Sequence, residues 1–182
     1  MTLLIVIGLI WLVDSQTITS SQADELEKLL IEPTATVTPA EWAQGLAGPY
    51  LVTRVVDGDT LYVKIEDEDV DVRLIGVDTP ETVDPRKKVE CFGEQASAFA
   101  KQMLTGRQVY LEYDESQGRQ DRYGRVLAYV WLDEDQIFNE LLLLSGYASE
   151  YTYDSEYRYH EIFKRAADEA EANGRGLWGA CR

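Results

Sequence analysis

The chain has 182 residues, 45% of them hydrophobic, and a formal net charge of −16. This length supports one domain with a substantial core plus an additional segment. So negative a charge is unusual in proteins that handle nucleic acid, which usually have a basic face. The acidity is not confined to a tail, since residues 48–182 alone have a net charge of −11. Acidic groups spread over a whole domain repel one another, and salt screens this repulsion. We therefore expect a protein adapted to high salt, with an ordinary acidic protein as the alternative.

Cysteine and histidine usage excludes several kinds of site. Cys91 and Cys181 are the only cysteines, and the chain has no CxxC motif or Cys/His cluster, which argues against a zinc site. The two cysteines either pair in an exported protein or remain two free thiols. The single histidine, His160, excludes histidine-pair chemistry and leaves little room for a Ser-His-Asp triad.

The N-terminus carries an apolar run from Leu3 to Val13. A membrane-spanning helix needs about 20 apolar residues, so residues 1–23 predict a signal peptide or a short membrane anchor. No basic residue precedes the run, and a short N-terminal helix is the alternative. We expect export to the cell surface or the medium.

Residues 24–47 predict a linker, because Pro33 and Pro39 interrupt any longer element. Gly48-Pro49 then marks the start of a domain that extends over residues 48–182.

From Tyr50 onward, short β-rich runs alternate with turn residues, and helical patterns follow the third and fifth runs. The predicted strands are residues 50–56, 60–65, 70–77, 107–113 and 125–132. The predicted helices are residues 93–104, 137–144 and 155–172. This order indicates an α+β fold, mainly β, with a five-stranded barrel of the oligonucleotide-binding (OB) type and about three helices. We assign Trp131 and Trp178 to its core.

Acidic residues occur where the first three predicted strands meet their turns. Asp59 lies at a tight turn, and Asp78 lies where Pro80 stops an apolar strand. Both flank the same three-stranded meander, so we expect the two carboxylates to share one hard cation, with the Thr79 carbonyl as a third ligand. Oxygen ligands without nitrogen or sulfur favour calcium or magnesium.

Two arginines and a third acid accompany this pair. Arg73 and Arg125 are expected to bind the non-bridging oxygens of a phosphate, and Glu81 to position or deprotonate a water molecule. Each residue alone is more often a solvated surface group, so the interpretation depends on their occurring together at strand ends. Together they predict metal-assisted attack on a phosphodiester.

Residues of about 50–178 resemble the staphylococcal nuclease (thermonuclease) family. The matching segments are VVDGDT, RLIGVDTPET, FGEQASAFAKQML, DRYGRVLAYV and GLW, in the family's order and with similar gaps. The resemblance implies an OB-type barrel that hydrolyses DNA and RNA with one calcium ion, so that water attacks phosphorus and the products carry 3′-phosphates.

The resemblance also implies a role for each matched residue. The positions of the calcium ligands correspond to Asp59, Asp78 and Thr79. The phosphate-binding arginines correspond to Arg73 and Arg125, and the catalytic glutamate to Glu81. The family's contacts to the terminal phosphate and the base of a nucleotide correspond to Lys87, Arg122, Tyr123, Tyr151 and Tyr153.

The acidity departs from the family's basic secreted members and weakens long-range attraction for a polyanion. Basic residues within 86–88 and 119–125 would supply a local positive rim. The first hypothesis is an exported, calcium-dependent nuclease that cleaves DNA and RNA as a monomer, without an implied protein partner. The alternative is a binding module of the same fold, for nucleic acid or protein, without turnover.

Overall fold

The structure, a computed structural model, describes residues 41–82 and 88–181. These residues belong to one compact unit, residues 39–182. The predictions for residues 1–23, for most of the linker and for Lys87 lie outside the described residues.

The described residues form eight strands and four α-helices after a short 3₁₀ helix at Glu41–Ala43. The strands are β1 (Ala47–Val55), β2 (Thr60–Ile65), β3 (Glu68–Leu74), β4 (Val77–Asp78), β5 (Gln108–Glu112), β6 (Val126–Asp133), β7 (Gln136–Ile137) and β8 (Ser149–Glu150). The helices are α1 (Gly93–Leu104), α2 (Phe138–Leu144), α3 (His160–Ala172) and α4 (Leu177–Ala180).

Five strands close into a barrel in the order β3-β2-β1-β5-β6, and β6 pairs with β3 to complete it. The closing pair is parallel and the other four are antiparallel. Alternate residues such as Leu61 and Val63 on β2 point into the core and are buried. The predicted α+β fold with a five-stranded OB-type barrel and three main helices is therefore confirmed.

Helix α2 packs on the core and contacts β6 and the turn before β4. Phe138, Leu142 and Leu143 are buried, and each such side chain contributes about 1.5–3 kcal/mol of hydrophobic stabilisation. Asn139 is fully buried among them. This polar side chain is tolerated there because both ends of its amide are hydrogen-bonded. Its Nδ2 donates to the Ile75 carbonyl at 2.8 Å, and its Oδ1 accepts from the Val130 amide at 2.9 Å. The helix is thereby fixed to β6 and to the turn that precedes β4.

The predicted strand over residues 70–77 is wrong in its last part. The strand ends at Leu74, and the chain turns at Gly76 before β4. Gly76 has a φ of +76°, which residues with a side chain rarely adopt, and an added Cβ would lie 2.6 Å from the ring of Tyr157. The turn redirects the chain and carries Asp78 away from the line of β3.

The predicted helix over residues 155–172 begins five residues late, at His160. The preceding residues are held by tertiary contacts, since the Arg158 amide donates to Asp114 Oδ2 at 2.8 Å. The two tryptophans assigned to the core are only partly buried, although Trp131 packs against the core and donates from Nε1 to Glu112 at 2.8 Å.

The folded unit includes the last residues of the predicted linker. Ala43 is buried, and the ring of Trp42 contacts that of Tyr110 edge-on at 4.9 Å between centroids. The apolar residues at the end of the segment over 24–47 therefore pack on the barrel.

Cys91 and Cys181 form a disulfide, which decides between the two alternatives for these cysteines. The bond joins positions 90 residues apart. Closing a loop of that length stabilises the fold by about 4.5 kcal/mol in the chain-entropy model. Among the described residues, no helix has the length and apolar character needed to cross a membrane.

Candidate active site

The turn between β1 and β2 contacts the segment after β4 directly. Gly58 allows this approach, because a Cβ at this position would lie 2.5 Å from the Thr79 side chain. Asp59 is buried beside it, and its Oδ2 accepts from the Thr79 amide at 2.9 Å and from the Thr79 hydroxyl at 3.0 Å. These bonds fix the turn against Asp78 and Thr79.

Arg73 lies between the two aspartates. Its Nη2 is 3.3 Å from Asp59 Oδ2 and 3.2 Å from Asp78 Oδ1, while its Nη1 donates to the carbonyls of Leu74 and Val77. Asp59 and Asp78 therefore lie on the same side of the barrel and face one nitrogen. The Asp78 side chain is 56% exposed and that of Asp59 only 7%, so one carboxylate faces solvent and the other is held in the fold.

Arg125 joins the same group from the start of β6. Asp121 Oδ2 accepts from its Nε and Nη2, both at 2.7 Å. Its Nη1 is 3.5 Å from the Thr60 hydroxyl, which in turn donates to Asp59 Oδ1 at 3.0 Å. A continuous polar chain thus connects the guanidinium groups of Arg125 and Arg73 through Asp59.

A cleft of about 490 Å³ opens beside this chain. It contains most of the side chains predicted to bind substrate or phosphate. Its lining includes Arg73, Asp78, Arg122, Tyr123, Arg125, Tyr151 and Tyr153. Tyr123 and Tyr153 are 69% and 62% exposed, and the Arg122 guanidinium donates to the Tyr123 hydroxyl at 2.7 Å. Cationic groups and exposed aromatic faces therefore share one opening, which suits a phosphate chain with unpaired bases.

Glu81 lies two residues beyond Thr79 and is partly buried. Its amide donates to Glu90 Oε2 at 3.0 Å, and its carbonyl accepts from the Glu90 amide at 3.0 Å. Glu81 is not among the described residues that line the cleft, although its segment continues directly from Asp78 and Thr79.

Two further acids lie at the site, although the sequence analysis did not predict a role for them. Asp121 holds Arg125, and Asp57 lies beside Asp59, whose amide donates to Asp57 Oδ1 at 3.3 Å. Burial, and secondly the negative charge of Asp59, raise the pKa of Asp57 to about 6. The Asp-Gly-Asp repeat is the signal in the sequence that could have identified Asp57.

The donor atoms fit a hard cation. Among the described residues, no cluster of three or more His, Cys, Asp or Glu side chains is arranged to hold a metal ion. Asp59 and Asp78 nevertheless each place a carboxylate oxygen within 3.3 Å of one Arg73 nitrogen, so the two carboxylates already face a common cationic group. Calcium takes six to eight oxygen ligands and accepts water and substrate oxygens among them. Two carboxylates and the carbonyl of Thr79 would therefore supply the protein's share.

Comparison with known proteins places these residues in a family. The sequence model described as staphylococcal nuclease homologue matches residues 71–180. The chain is 44% identical over 129 residues to the thermonuclease of Staphylococcus hyicus, which covers 71% of this chain and 75% of that protein. It is 45% identical over 129 residues to the thermonuclease of Staphylococcus intermedius, again covering 71% of this chain and 75% of that protein. Endonuclease YncB of Bacillus subtilis is 36% identical over 126 residues, covering 69% of this chain and 59% of that protein.

Proposed function

This chain belongs to the staphylococcal nuclease homologue family, and from that premise we propose that it is a calcium-dependent nuclease that hydrolyses DNA and RNA. The position of Asp59 and Asp78 around one Arg73 nitrogen is the observation on which the proposal depends. Relatives named thermonuclease and endonuclease support the reaction class.

Substrate binding would depend on phosphate charge and base stacking. Arg122 and the rings of Tyr123, Tyr151 and Tyr153 line the cleft, and stacking of one base on an aromatic ring contributes about 1–3 kcal/mol. Lys87 is proposed as a further phosphate contact. Contacts to phosphate carry no base information, so we expect little sequence preference.

The reaction would proceed by attack of water on phosphorus. Glu81 takes a proton from the water, the water oxygen bonds to phosphorus, and the 5′-oxygen leaves and takes up a proton, so the other product carries a 3′-phosphate. Arg73 and Arg125 donate hydrogen bonds to the non-bridging oxygens, where negative charge increases in the transition state. A calcium ion held by Asp59, Asp78 and Thr79 would supply further positive charge next to the phosphate.

We also propose that the protein is exported and acts as a monomer, with residues 1–23 as a signal peptide or a short anchor. The Cys91–Cys181 disulfide supports this location, because disulfides persist mainly in oxidising compartments. The acidic surface supports adaptation to high salt.

The test is an assay on plasmid DNA and on single-stranded RNA with calcium, and then with excess EGTA. We expect degradation that EGTA abolishes and that added calcium restores. Glu81→Gln should lower kcat by orders of magnitude while the circular dichroism spectrum stays unchanged. Glu134→Gln, at an exposed turn position, removes the same charge and serves as the matched control. Binding of nucleic acid without turnover in calcium would instead favour the binding-module alternative.

A further inference from the structure

A hydrogen-bonded pair of glutamates fixes the backbone of Glu81. The Glu81 amide donates to Glu90 Oε2, and the Glu90 amide donates to the Glu81 carbonyl, each at 3.0 Å. These bonds join residues nine positions apart. The position of Glu81 therefore depends on how firmly Glu90 is held.

Glu90 is held at the start of α1. The Gly93 amide donates to the Glu90 carbonyl at 3.0 Å. An added Cβ on Gly93 would lie 2.9 Å from the Pro80 carbonyl oxygen and 3.2 Å from that of Glu81. The first turn of α1 therefore lies directly against the backbone of the segment that carries Glu81.

The same start of α1 is joined to the C-terminus. Cys91 is bonded to Cys181, which follows α4. Helix α4 is fixed in turn to the end of α2, because the Leu177 amide donates to the Gly146 carbonyl at 2.8 Å. The ring of Phe92 stacks on Tyr147 at 5.5 Å between centroids. One covalent bond and one ring contact thus hold residues 90–93 against the core.

We infer that the Cys91–Cys181 disulfide, acting through Glu90, positions Glu81 for proton transfer, so that reducing the disulfide slows the reaction. This inference rests on the proposed function, in which Glu81 is the base. Both cysteines are exposed, so a soluble dithiol has access to the bond. One thiolate of the dithiol attacks the sulfur of one cysteine and displaces the other cysteine as a thiolate, which leaves a mixed disulfide. The second thiol of the dithiol then attacks the reagent's own sulfur in that mixed disulfide and displaces the first cysteine. Two electrons and two protons pass to the protein, which gains two thiols, and the reductant becomes a disulfide.

The experiment compares kcat and KM of the full chain, oxidised and reduced by dithiothreitol, with calcium and an oligonucleotide. Small displacements of a catalytic group cost large factors in rate, so we expect kcat to fall about tenfold or more on reduction. KM should change little, because the described residues that line the cleft lie within 73–78 and 116–155, outside the stretch from Glu81 to α1. Reoxidation should restore kcat, and a Cys91→Ser, Cys181→Ser double variant should match the reduced protein.

Variants of Glu90 test the connecting step. Glu90→Ala removes the acceptor of the Glu81 amide and should lower kcat even with the disulfide intact. Glu90→Gln keeps a side-chain carbonyl that can accept the same bond, and should retain most of the rate. Hydrogen exchange of the Glu81 amide, measured without substrate, should quicken on reduction and in Glu90→Ala.

General destabilisation is controlled with Val63→Ala, which creates a cavity at a fully buried position of the barrel. All proteins are assayed at a temperature at which their circular dichroism shows them folded. The inference is overturned if folded, reduced protein keeps the kcat and the Glu81 amide protection of the oxidised form, or if Val63→Ala loses kcat equally. An oxidised protein without calcium-dependent turnover would overturn the proposed function as well, so the two failures are distinguishable.

Discussion

Asp121 shows how a single carboxylate organises the cleft. Its Oδ2 accepts from two nitrogens of Arg125, and its Oδ1 accepts from the backbone amides of Tyr123 at 2.8 Å and Arg125 at 3.0 Å. Burial opposes ionisation, but these hydrogen bonds hold the pKa of Asp121 below its ordinary value. The group is therefore ionised at neutral pH and fixes the guanidinium in one orientation.

Replacing Asp121 by alanine should lower kcat by about 10- to 100-fold, because Arg125 loses both bonds that orient it towards the cleft. Steady-state kinetics on a short oligonucleotide would measure this loss. Asp135→Ala, at an exposed turn, removes an acid of the same kind and should leave kcat unchanged. A kcat in Asp121→Ala equal to that of the control would mean that Arg125 needs no fixed partner.

Among the individual site residues, those within short motifs at strand ends were predictable. Asp59, Arg73 and Asp78 follow from strand ends and turns within 20 positions, and the structure brings them together. The role of Asp121 was not predictable, because it depends on which way a turn directs a carboxylate. The placement of Glu81 beside Glu90 was likewise not predictable, because it depends on hydrogen bonds between residues nine positions apart.

The turn between β3 and β4 determines where Asp78 lies. Gly76 combines a φ of +76° with a close approach to the buried ring of Tyr157, whose hydroxyl is 3.4 Å from the Gly76 carbonyl. Tyr151 also donates its amide to that carbonyl at 3.2 Å. One turn therefore orders an acid of the site and an aromatic ring of the cleft.

Gly76→Ala should lower the free energy of unfolding by about 2 kcal/mol or more, since it adds a steric clash to backbone strain. Gly118→Ala is the matched control, because Gly118 has the same φ of +76° with no heavy atom within 4 Å of an added Cβ. The control should lose only the backbone contribution, about 1 kcal/mol. Urea unfolding measures both, and equal losses would show that the Tyr157 contact is unimportant.

Asp114 connects the loop after β5 to β6 and to the segment before α3. Its Oδ2 accepts from the Tyr129 hydroxyl at 2.7 Å and the Arg158 amide at 2.8 Å, and its Oδ1 accepts from the Ser116 amide at 3.0 Å. Burial alone would raise the pKa of Asp114, but these hydrogen bonds hold it below the ordinary value of 3.8. The stabilisation is thus present above the unfolded pKa and is lost as the pH falls through the folded pKa.

Asp114→Asn should therefore be less stable than the unmodified chain at about pH 7, and the difference in unfolding free energy should shrink towards about pH 3. Urea unfolding across that range would measure it. Parallel stability curves for the two proteins would mean that the carboxylate charge contributes nothing beyond its hydrogen-bonding geometry.

Elements with a strong local pattern were predictable to their ends. Helix α1 and strand β2 have the bounds that the sequence predicts, because periodicity and turn residues define them. The start of α3 was not predictable, because Arg158 donates its amide to Asp114, a residue 44 positions away. Long-range contacts of this kind outweigh local helix propensity.

The charge of the whole molecule opposes the charge of its cleft. The chain carries a net −16, yet Arg73, Arg122 and Arg125 line one opening. Substrate attraction therefore depends on short-range contacts. The surface as a whole repels a polyanion, and its acidic groups repel one another. The sequence predicted this conflict, because it assigned Arg73 and Arg125 to one phosphate within an acidic domain, and the fold places both arginines in the lining of one cleft.

Salt should therefore act in opposite directions on stability and on substrate binding. Between about 0.1 and 1 M KCl the screening length falls from about 10 to 3 Å, so relief of self-repulsion should raise the free energy of unfolding. Over the same range KM for an oligonucleotide should rise, because the counterions displaced by the arginine–phosphate contacts are released with a smaller gain in free energy at high salt. Replacing the exposed acids Asp168 and Glu171 of α3 by Asn and Gln should flatten the dependence of stability on salt and leave that of KM unchanged, since α3 does not line the cleft. Urea unfolding and steady-state kinetics at each salt concentration measure the two effects, and an unfolding free energy independent of KCl would show that the acidic groups are too well separated to destabilise the fold.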